Sequence, residues 1–281
     1  MSEFAETLGL FREATAGPPG EVALARAALL IARGEDDSVD VDAYEQRLDK
    51  LAETLRVRLG GIGDGSARYR VASEFVFVEL GFSGDEDRYD DHRNLLLDQV
   101  LERRRGIPIS LAIVHIDLCQ RAGLRVSGVG LPGHIVVRAD DLTEEPRFLD
   151  VFRGGAPLTN EDCRRVVRET YGRHVDFHEH FLSGVTPRQL LQRLLHNLKA
   201  RALQDADDDR AGRAMDMLLA MFPWDLDELR DRGMLRERLG DYPAALSDLE
   251  QYVRFRASAR DIRTVSEAVE SLRRHIGPES V

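Results

Sequence analysis

The chain has 281 residues, of which 43% are hydrophobic and 32% charged, and its formal net charge at pH 7 is -11. That length can bury a substantial core in one or two domains. An acidic chain is repelled by the phosphates of nucleic acids and by anionic lipid, so neither is expected as a partner.

The longest apolar stretches, residues 27–32 and 107–116, are too short to cross a bilayer, and no membrane association is expected. Two cysteines, Cys119 and Cys163, are too few for a disulfide framework. The first residues, Met-Ser-Glu-Phe-Ala-Glu, lack the basic and apolar segments of a secretory signal. We therefore expect a cytoplasmic protein.

The N-terminal part is predicted to be mainly helical. Residues 1–20 contain Ala-Gly-Pro-Pro-Gly and are predicted to form a flexible lead-in. An alanine- and leucine-rich run predicts a helix over 21–33. A second helix is predicted after Asp42, which forms a capping-box pattern with Glu45.

A third helix is predicted over 66–80. The helical spacing of its apolar residues indicates that Val71, Phe75 and Val78 face inward. All three helices are assigned to packing, and no chemistry is predicted for them.

Two polar clusters invite interpretation as metal sites, but no metal is predicted at either, and no cofactor elsewhere. The acidic loop at 84–91 lacks the central glycine and closing glutamate of a calcium loop, so a solvated loop is expected. In the cluster of His174, His178 and His180, the last two would share a strand face. Without a nearby cysteine or a clear fourth ligand, a solvent-exposed polar segment is expected.

The centre of the chain predicts a buried helix that begins at a proline. Residues are charged up to Arg105 and apolar from Ile107 onward, with Pro108 where helices often begin. This helix is predicted to end near Gly123. Asn94 is predicted to be the N-cap of the preceding helix, which ends near Arg105.

Three β-type segments follow the buried helix, at residues 126–130, 135–138 and 148–152. His134 closes the Leu-Pro-Gly-His turn between the first two segments, and Asp150 lies in the third. Considered alone, such a histidine is more often an ordinary loop residue, and such an aspartate a cap at a strand end.

Two stretches carry a resemblance to a known family: Arg-Arg-Gly-Ile-Pro-Ile-Ser-Leu at 104–111 and Val-Gly-Leu-Pro-Gly-His at 129–134. They resemble the bacterial SirB-type branch of the transglutaminase-like superfamily, in which tetratricopeptide-like helices follow the core. The resemblance covers residues 22–252. It implies an α+β, papain-like core with a cysteine at a helix start, a histidine on one strand and an aspartate on the next.

The resemblance also implies roles for individual residues. In enzymatic members a helix N-terminus lowers the pKa of the cysteine, the histidine moves the proton and the carboxylate fixes the imidazole tautomer. The resemblance matches His134 and Asp150 to the last two roles and places Pro108 at the cysteine position. Because proline has no nucleophile, the pair is expected to form a vestigial or altered site.

No other residue is predicted to replace the cysteine. Ser110 is rotated about 200° around the helix from Pro108, and Cys119 lies about 16 Å further along the axis. A first-turn serine and a small buried thiol are their expected roles. Cys163 falls in the first turns of a charged helix, a position that would allow a somewhat reactive thiol.

The C-terminal part contains a 34-residue repeat. Thr186, Pro187 and Gln189 start a helix by cap, proline and capping-box partner. One later copy has small and large residues at tetratricopeptide positions, namely Gly233, Gly240, Tyr242, Ala245, Leu249 and Tyr252. A degenerate copy is predicted over 192–225 and a last helix over 261–275. Two copies are few, so the segment is expected to dock on the core or on another chain.

These observations predict an α+β protein with a lead-in at 1–20, a transglutaminase-like domain with N-terminal helices at 21–185, and a tetratricopeptide-like segment at 186–281. The function expected first is a non-catalytic module that binds a protein or peptide. The alternative is a hydrolase or acyltransferase in which His134 and Asp150 activate water or a substrate group. The identity of the partner and the oligomeric state stay open.

Overall fold

The computed structural model of the chain describes residues 3–18, 22–171 and 177–276. The chain divides into two compact units, one of Glu13–Leu194 and one that joins Met1–Arg12 with Leu195–Val281. The fold is mixed α+β, with the sheet in the first unit and a series of helices in the second. No helix of the described part is long and apolar enough to span a bilayer.

The N-terminal half begins with a series of helices. They are α1 (Glu3–Thr15), α2 (Leu24–Glu35), α3 (Val41–Leu59) and α4 (Gly65–Ser73). The first of these differs from the predicted lead-in at 1–20, because residues 3–15 are helical and Phe11 is fully buried. The Ala-Gly-Pro-Pro-Gly run on which that prediction rested begins only after the helix.

The cap of α3 lies two residues earlier than the sequence predicted. The side chain of Asp40 accepts a hydrogen bond from the amide of Ala43, at 3.0 Å, and so fills the N-cap role. Asp42 and Glu45 instead accept from the guanidinium of Arg26 on α2. The predicted capping box is therefore an ion-pair cluster between two helices.

A π-helical turn over Glu74–Glu79 continues α4. A π turn holds more residues than an α turn, so it rotates every later side chain relative to regular helical spacing. Phe75 is buried as predicted, but Val78 is 74% exposed and Phe77 is buried in its place. The prediction that Val78 faces inward was wrong because it assumed an uninterrupted α-helix.

The segment between the π turn and the buried helix carries two short parallel strands, β1 (Ser83–Gly84) and β2 (Arg105–Gly106). Between them lie a 3-10 turn (His92–Asn94) and α5 (Leu97–Arg103). Asn94 is not the N-cap of α5, because Leu96 holds that position. The Asn94 side chain instead donates to the carbonyl of Arg88 at 2.7 Å, which fixes the acidic loop.

The first unit is built around a five-stranded antiparallel sheet. Helix α6 (Pro108–Arg121) leads into it and α7 (Asn160–Tyr171) follows its fourth strand in sequence. The strand order is β6-β5-β4-β3-β7. The strands are β3 (Val126–Leu131), β4 (His134–Ala139), β5 (Phe148–Asp150), β6 (Ala156–Leu158) and β7 (Gly184–Val185).

Both faces of the sheet are covered. On one face Val129, Val136 and Phe148 pack with Cys163 and Val167 of α7 in one apolar cluster. On the other face α6 packs against β3 and β4. Because side chains alternate along a strand, His134 shares its face with Val136 and thus with the α7 cluster.

The second unit consists of helices in the predicted repeat arrangement. They are α8 (Pro187–Gln204), shared with the first unit, α9 (Asp208–Met221), α10 (Leu226–Arg238), α11 (Tyr242–Phe255) and α12 (Ile262–Ile276). A Cβ on Gly233 would lie 2.6 Å from the side chain of Leu249, so the glycine allows α10 and α11 to approach closely. Leu249 and Tyr252 are fully buried together with Val265 and Val269 of α12.

Candidate functional site

The structure brings His134 and Asp150 together. Nε2 of His134 lies 3.1 Å from Oδ1 of Asp150, within hydrogen-bond distance. The carboxylate is only 1% exposed, and the imidazole keeps 15% of its surface accessible. Because Nε2 faces a carboxylate, it carries the proton in the neutral ring, and Nδ1 then holds the lone pair.

Asp150 is held by three donors. Oδ1 accepts from the backbone amides of Phe152, at 3.1 Å, and Arg153, at 3.2 Å, as well as from His134. Burial by itself would raise the pKa of Asp150, but the hydrogen bonds from His134 and the Arg153 amide outweigh it and hold that pKa below its usual value. The carboxylate is therefore charged at neutral pH and fixes the orientation of the imidazole.

Two tight turns place the pair. His134 begins β4 directly opposite Leu131, the last residue of β3, and Gly133 between them has a φ of 67° that favours glycine. Asp150 ends β5, and its carbonyl accepts from the amide of Gly155 at 2.9 Å. The strand ends thus fix the backbone positions from which both side chains extend.

Pro108 occupies the first turn of α6, as predicted, with Ile107 as the N-cap. The pyrrolidine ring offers no nucleophile and no amide hydrogen. Ser110 is fully engaged within this turn, because its hydroxyl accepts from the Ile107 amide at 3.1 Å and donates to the Asn94 carbonyl at 2.6 Å. The serine therefore caps the helix, in line with the predicted first-turn role.

An aromatic contact that the sequence did not predict lies next to the pair. Tyr89, at the tip of the acidic loop, packs edge-on against Phe152 with ring centroids 5.7 Å apart. Burial raises the pKa of Tyr89, although 48% of the side chain is exposed and Arg193 opposes the shift. Tyr89 is the one aromatic residue of the acidic loop, and that feature of the sequence could have indicated a packing role for it.

Both cysteines are buried and free, and neither is activated. Burial raises the pKa of Cys119 far above the usual range and that of Cys163 to about 12. Cys119 is the small buried thiol that the sequence predicted. The somewhat reactive Cys163 was a wrong prediction, since this side chain points into the apolar cluster under the sheet and is 0% exposed.

The two histidines near the end of the first unit do not lie on a strand. His178 and His180 flank the start of a 3-10 turn (Glu179–Leu182) with their rings stacked 5.3 Å apart, which corrects the predicted strand face. His174 lies outside the described residues. Within the described ranges no cluster of three or more His, Cys, Asp or Glu side chains has the geometry to hold a metal ion.

Comparison with protein families gives two matches that follow one another along the chain. Residues 42–196 match the transglutaminase-like superfamily, and residues 198–270 match the tetratricopeptide repeat. The first match covers more than half of the chain and includes His134, Asp150 and Pro108. Tetratricopeptide segments suggest interactions with other proteins.

The chain is also similar to curated bacterial and animal proteins. The UPF0162 protein of Xylella fastidiosa strain 9a5c is 35% identical over 241 residues, which cover 85% of each chain. The UPF0162 protein of Vibrio cholerae is 27% identical over 230 residues, 82% of this chain and 85% of that one. Human F-box only protein 21 is 28% identical over 178 residues, which cover 60% of this chain and 27% of that protein. No solved structure gives a significant match.

Proposed function

The chain belongs to the transglutaminase-like superfamily, together with the bacterial UPF0162 proteins, and we propose that it is a non-catalytic module that binds a protein or peptide. The proposal rests on one observation, which is Pro108 in the first turn of α6. A thioester intermediate needs a thiolate at the helix start, and proline has no atom that can form one.

The other candidate nucleophiles do not replace the missing thiol. The Ser110 hydroxyl is buried and bonded to two backbone groups. Cys119 and Cys163 are buried, and the pKa of each thiol is raised rather than lowered. In this proposal the pair of His134 and Asp150 is a retained structural element, and the repeat segment supplies recognition.

A quantitative pull-down with the intact protein tests the binding module. The bait is compared with a Cys119→Ala, Cys163→Ala double variant and with an unrelated acidic protein as the matched negative control. We expect a partner that both baits recover to the same extent and that binds the purified protein directly. The proposal would be contradicted if the partner were recovered only when both thiols are present. It would also be contradicted if no protein were enriched over the acidic control.

The geometry of His134 supports a second candidate, a hydrolase or acyltransferase without a cysteine. With Nε2 held by Asp150, Nδ1 carries a lone pair that could take a proton from water or from a substrate group. An ester and amide hydrolysis screen compares the wild type with His134→Gln and with Asp140→Asn. Asp140 is the control because it directly follows β4 but bonds Ser127 and Arg138 instead of a histidine.

The screen separates the two candidates. A wild-type rate above buffer that falls at least about ten-fold in His134→Gln and not in Asp140→Asn would favour the enzyme, since such a loss corresponds to about 1.4 kcal/mol of transition-state stabilisation. Equal rates in all three proteins would favour the binding module.

A further inference from the structure

A cavity of about 540 Å³ opens in the first unit between α4 and the β4–β5 connection. One wall is formed by the helical segment from Asp64 to Val78, and the other by the β5–β6 hairpin and the residues just before it. As far as the chain is described, its lining includes neither His134 nor Asp150. The volume falls in the range of pockets that hold small organic ligands.

Most of the lining is apolar. Val78, Leu142, Leu149 and Pro157 contribute side chains to it. Val78 is 74% exposed, because the π turn rotates it away from the core and toward this cavity. Exposure of a large apolar side chain to water is unfavourable. An apolar ligand that covers this side chain in the cavity would therefore gain binding free energy.

Arg147 lines the cavity and gives it a cationic group. Its Nε is buried and has no hydrogen-bond partner among the described residues. Its guanidinium lies 5.5 Å from the centre of the Phe148 ring, so that an aromatic face supports one side of it. The Arg147 side chain lines the cavity, so its positive charge is the feature that an anionic oxygen of a ligand would pair with there.

The remaining charges of the lining limit the charge of such a ligand. Arg70 adds a second guanidinium, but Asp64 and Glu74 line the same cavity. The Asp64 carboxylate is fixed in place, because it caps α4 by accepting from the Ala67 amide at 2.7 Å. Two acidic groups repel a doubly charged phosphate more than a single carboxylate. A monoanion is therefore the better match.

We propose that this cavity binds a carboxylic acid with an apolar body. The carboxylate contacts Arg147, with Arg70 nearby, and the apolar body covers Val78, Leu142 and Leu149. The same chemistry is present in a free aliphatic or aromatic acid and in the C-terminus of an apolar peptide. The site is separate from the pair of His134 and Asp150, so it goes beyond the proposed function and does not depend on it.

Titration of the full-length protein with decanoate, below its micellar concentration, tests the site. We expect saturable binding with one site per chain by calorimetry, and an increase in the melting temperature. Arg147→Gln should weaken the affinity for decanoate at least about ten-fold. Arg263→Gln is the matched control, since Arg263 is a 91% exposed guanidinium on α12 and should leave the affinity unchanged.

Two further probes check the chemistry of the ligand. Decanol has the same apolar body without the charge, and we expect it to bind at least about ten-fold more weakly than decanoate. A short peptide that ends in Val-Leu, with a free or an amidated C-terminus, distinguishes the peptide source from the free acid. If Arg147→Gln does not fold, Arg70→Gln serves instead, because Arg70 is exposed and its substitution should leave folding intact. We expect it to weaken decanoate binding as well.

The outcomes are distinct. Saturable decanoate binding that is lost in the arginine variants and retained in His134→Gln supports the site, whatever happens to the proposed function. Equal affinity for decanoate and decanol, an unchanged affinity in both arginine variants, or no saturable binding of any probe would overturn it.

Discussion

His115 lies in the middle of α6 as an imidazole with no access to solvent. Its ring stacks on Phe77 with the centroids 5.3 Å apart, and Nδ1 has no hydrogen-bond partner among the described residues. Burial lowers the pKa of His115 from 6.5 to about 4. The folded protein therefore contains the neutral ring over the whole range in which the unfolded chain takes up a proton.

This shift predicts how stability depends on pH. Between pH 6.5 and 4 the unfolded state binds more protons at His115 than the folded state, so the free energy of unfolding decreases as the pH falls through that window. The loss reaches about 3 kcal/mol at the lower end. In urea unfolding at several pH values, His115→Leu should lose this part of the pH dependence. His180→Leu, at an exposed position, should keep it, and identical pH profiles for wild type and His115→Leu would contradict the assignment.

The buried thiols lead to a second prediction. A thiolate is the reactive form, and a pKa of about 12 for Cys163 leaves very little of it at pH 8. We expect iodoacetamide to modify neither cysteine in the folded protein and both of them in denaturant, as followed by intact mass. If labelling of one thiol abolished a measured activity, and Cys119→Ala or Cys163→Ala did the same, the reading without a catalytic cysteine would be wrong.

At the level of single residues, the sequence predicted which residues lie close together better than it predicted which side chains are buried. The strand order together with the family resemblance led us to expect His134 near Asp150, and the structure shows why they meet: adjacent antiparallel strands place their ends side by side. Burial depends on which elements pack together, so the exposure of Val78 and the inert environment of Cys163 did not follow from local spacing. The contact of Tyr89 with Phe152 joins residues far apart in sequence and had no periodic signal.

The turn after β5 shows how two neighbouring glycines serve different purposes. Gly154 and Gly155 have φ values of 68° and 73°, in the left-handed region. A Cβ on Gly154 would meet open space, whereas a Cβ on Gly155 would lie 2.8 Å from Cε2 of Phe77 and even closer to the Ser73 hydroxyl. Gly155 therefore allows the π turn to approach the segment that follows Asp150.

Matched alanine substitutions separate these two roles. Gly154→Ala should cost about 1 kcal/mol, because only the backbone conformation is strained. Gly155→Ala adds a steric clash and should cost at least about 3 kcal/mol. Urea unfolding measures both values. Equal costs would mean that the contact between the π turn and Gly155 does not contribute to stability.

At the level of elements, the sequence predicted which segments form helices and strands. It did not predict the position of the α3 cap or the π turn. The strands β3, β4 and β5 lie within two residues of their predicted bounds. The cap of α3 was misplaced, since Asp40 and Asp42 are chemically equivalent in the sequence; in the structure Asp40 caps the helix and Asp42 pairs with Arg26 of α2. The π turn lies where Phe77 stacks on His115 and packs close to Gly155, and these tertiary contacts have no local sequence signal.

At the scale of the whole molecule, the sequence identified the repeats but not the segment that completes their unit. Residues 3–12 belong to the same compact unit as the helices from Leu195 onward. The sequence contains no signal for this grouping, because it joins Met1–Arg12 to residues from Leu195 onward, which lie far apart in the chain. A predicted flexible lead-in is thus part of a folded unit.

This grouping predicts that the repeat segment is incomplete alone. Two helix pairs bury too little surface to offset their ordering entropy, although Met215, Leu218 and Tyr252 are almost fully buried in the full-length protein. We expect a fragment of residues 187–281 to melt without cooperativity and a peptide of residues 1–15 to restore part of its structure. Circular dichroism follows both changes.

The full-length chain provides the matching experiment. Phe11 is fully buried, so Phe11→Ala should cost about 3 kcal/mol or more, and it should increase amide hydrogen exchange in α9–α12 if the N-terminal helix supports the repeats. Glu13→Ala, an exposed change two residues later in α1, should leave that exchange unchanged. A cooperative melt of the isolated fragment that matches its melt in the full chain, with unaltered exchange in Phe11→Ala, would show that the repeats fold independently of α1.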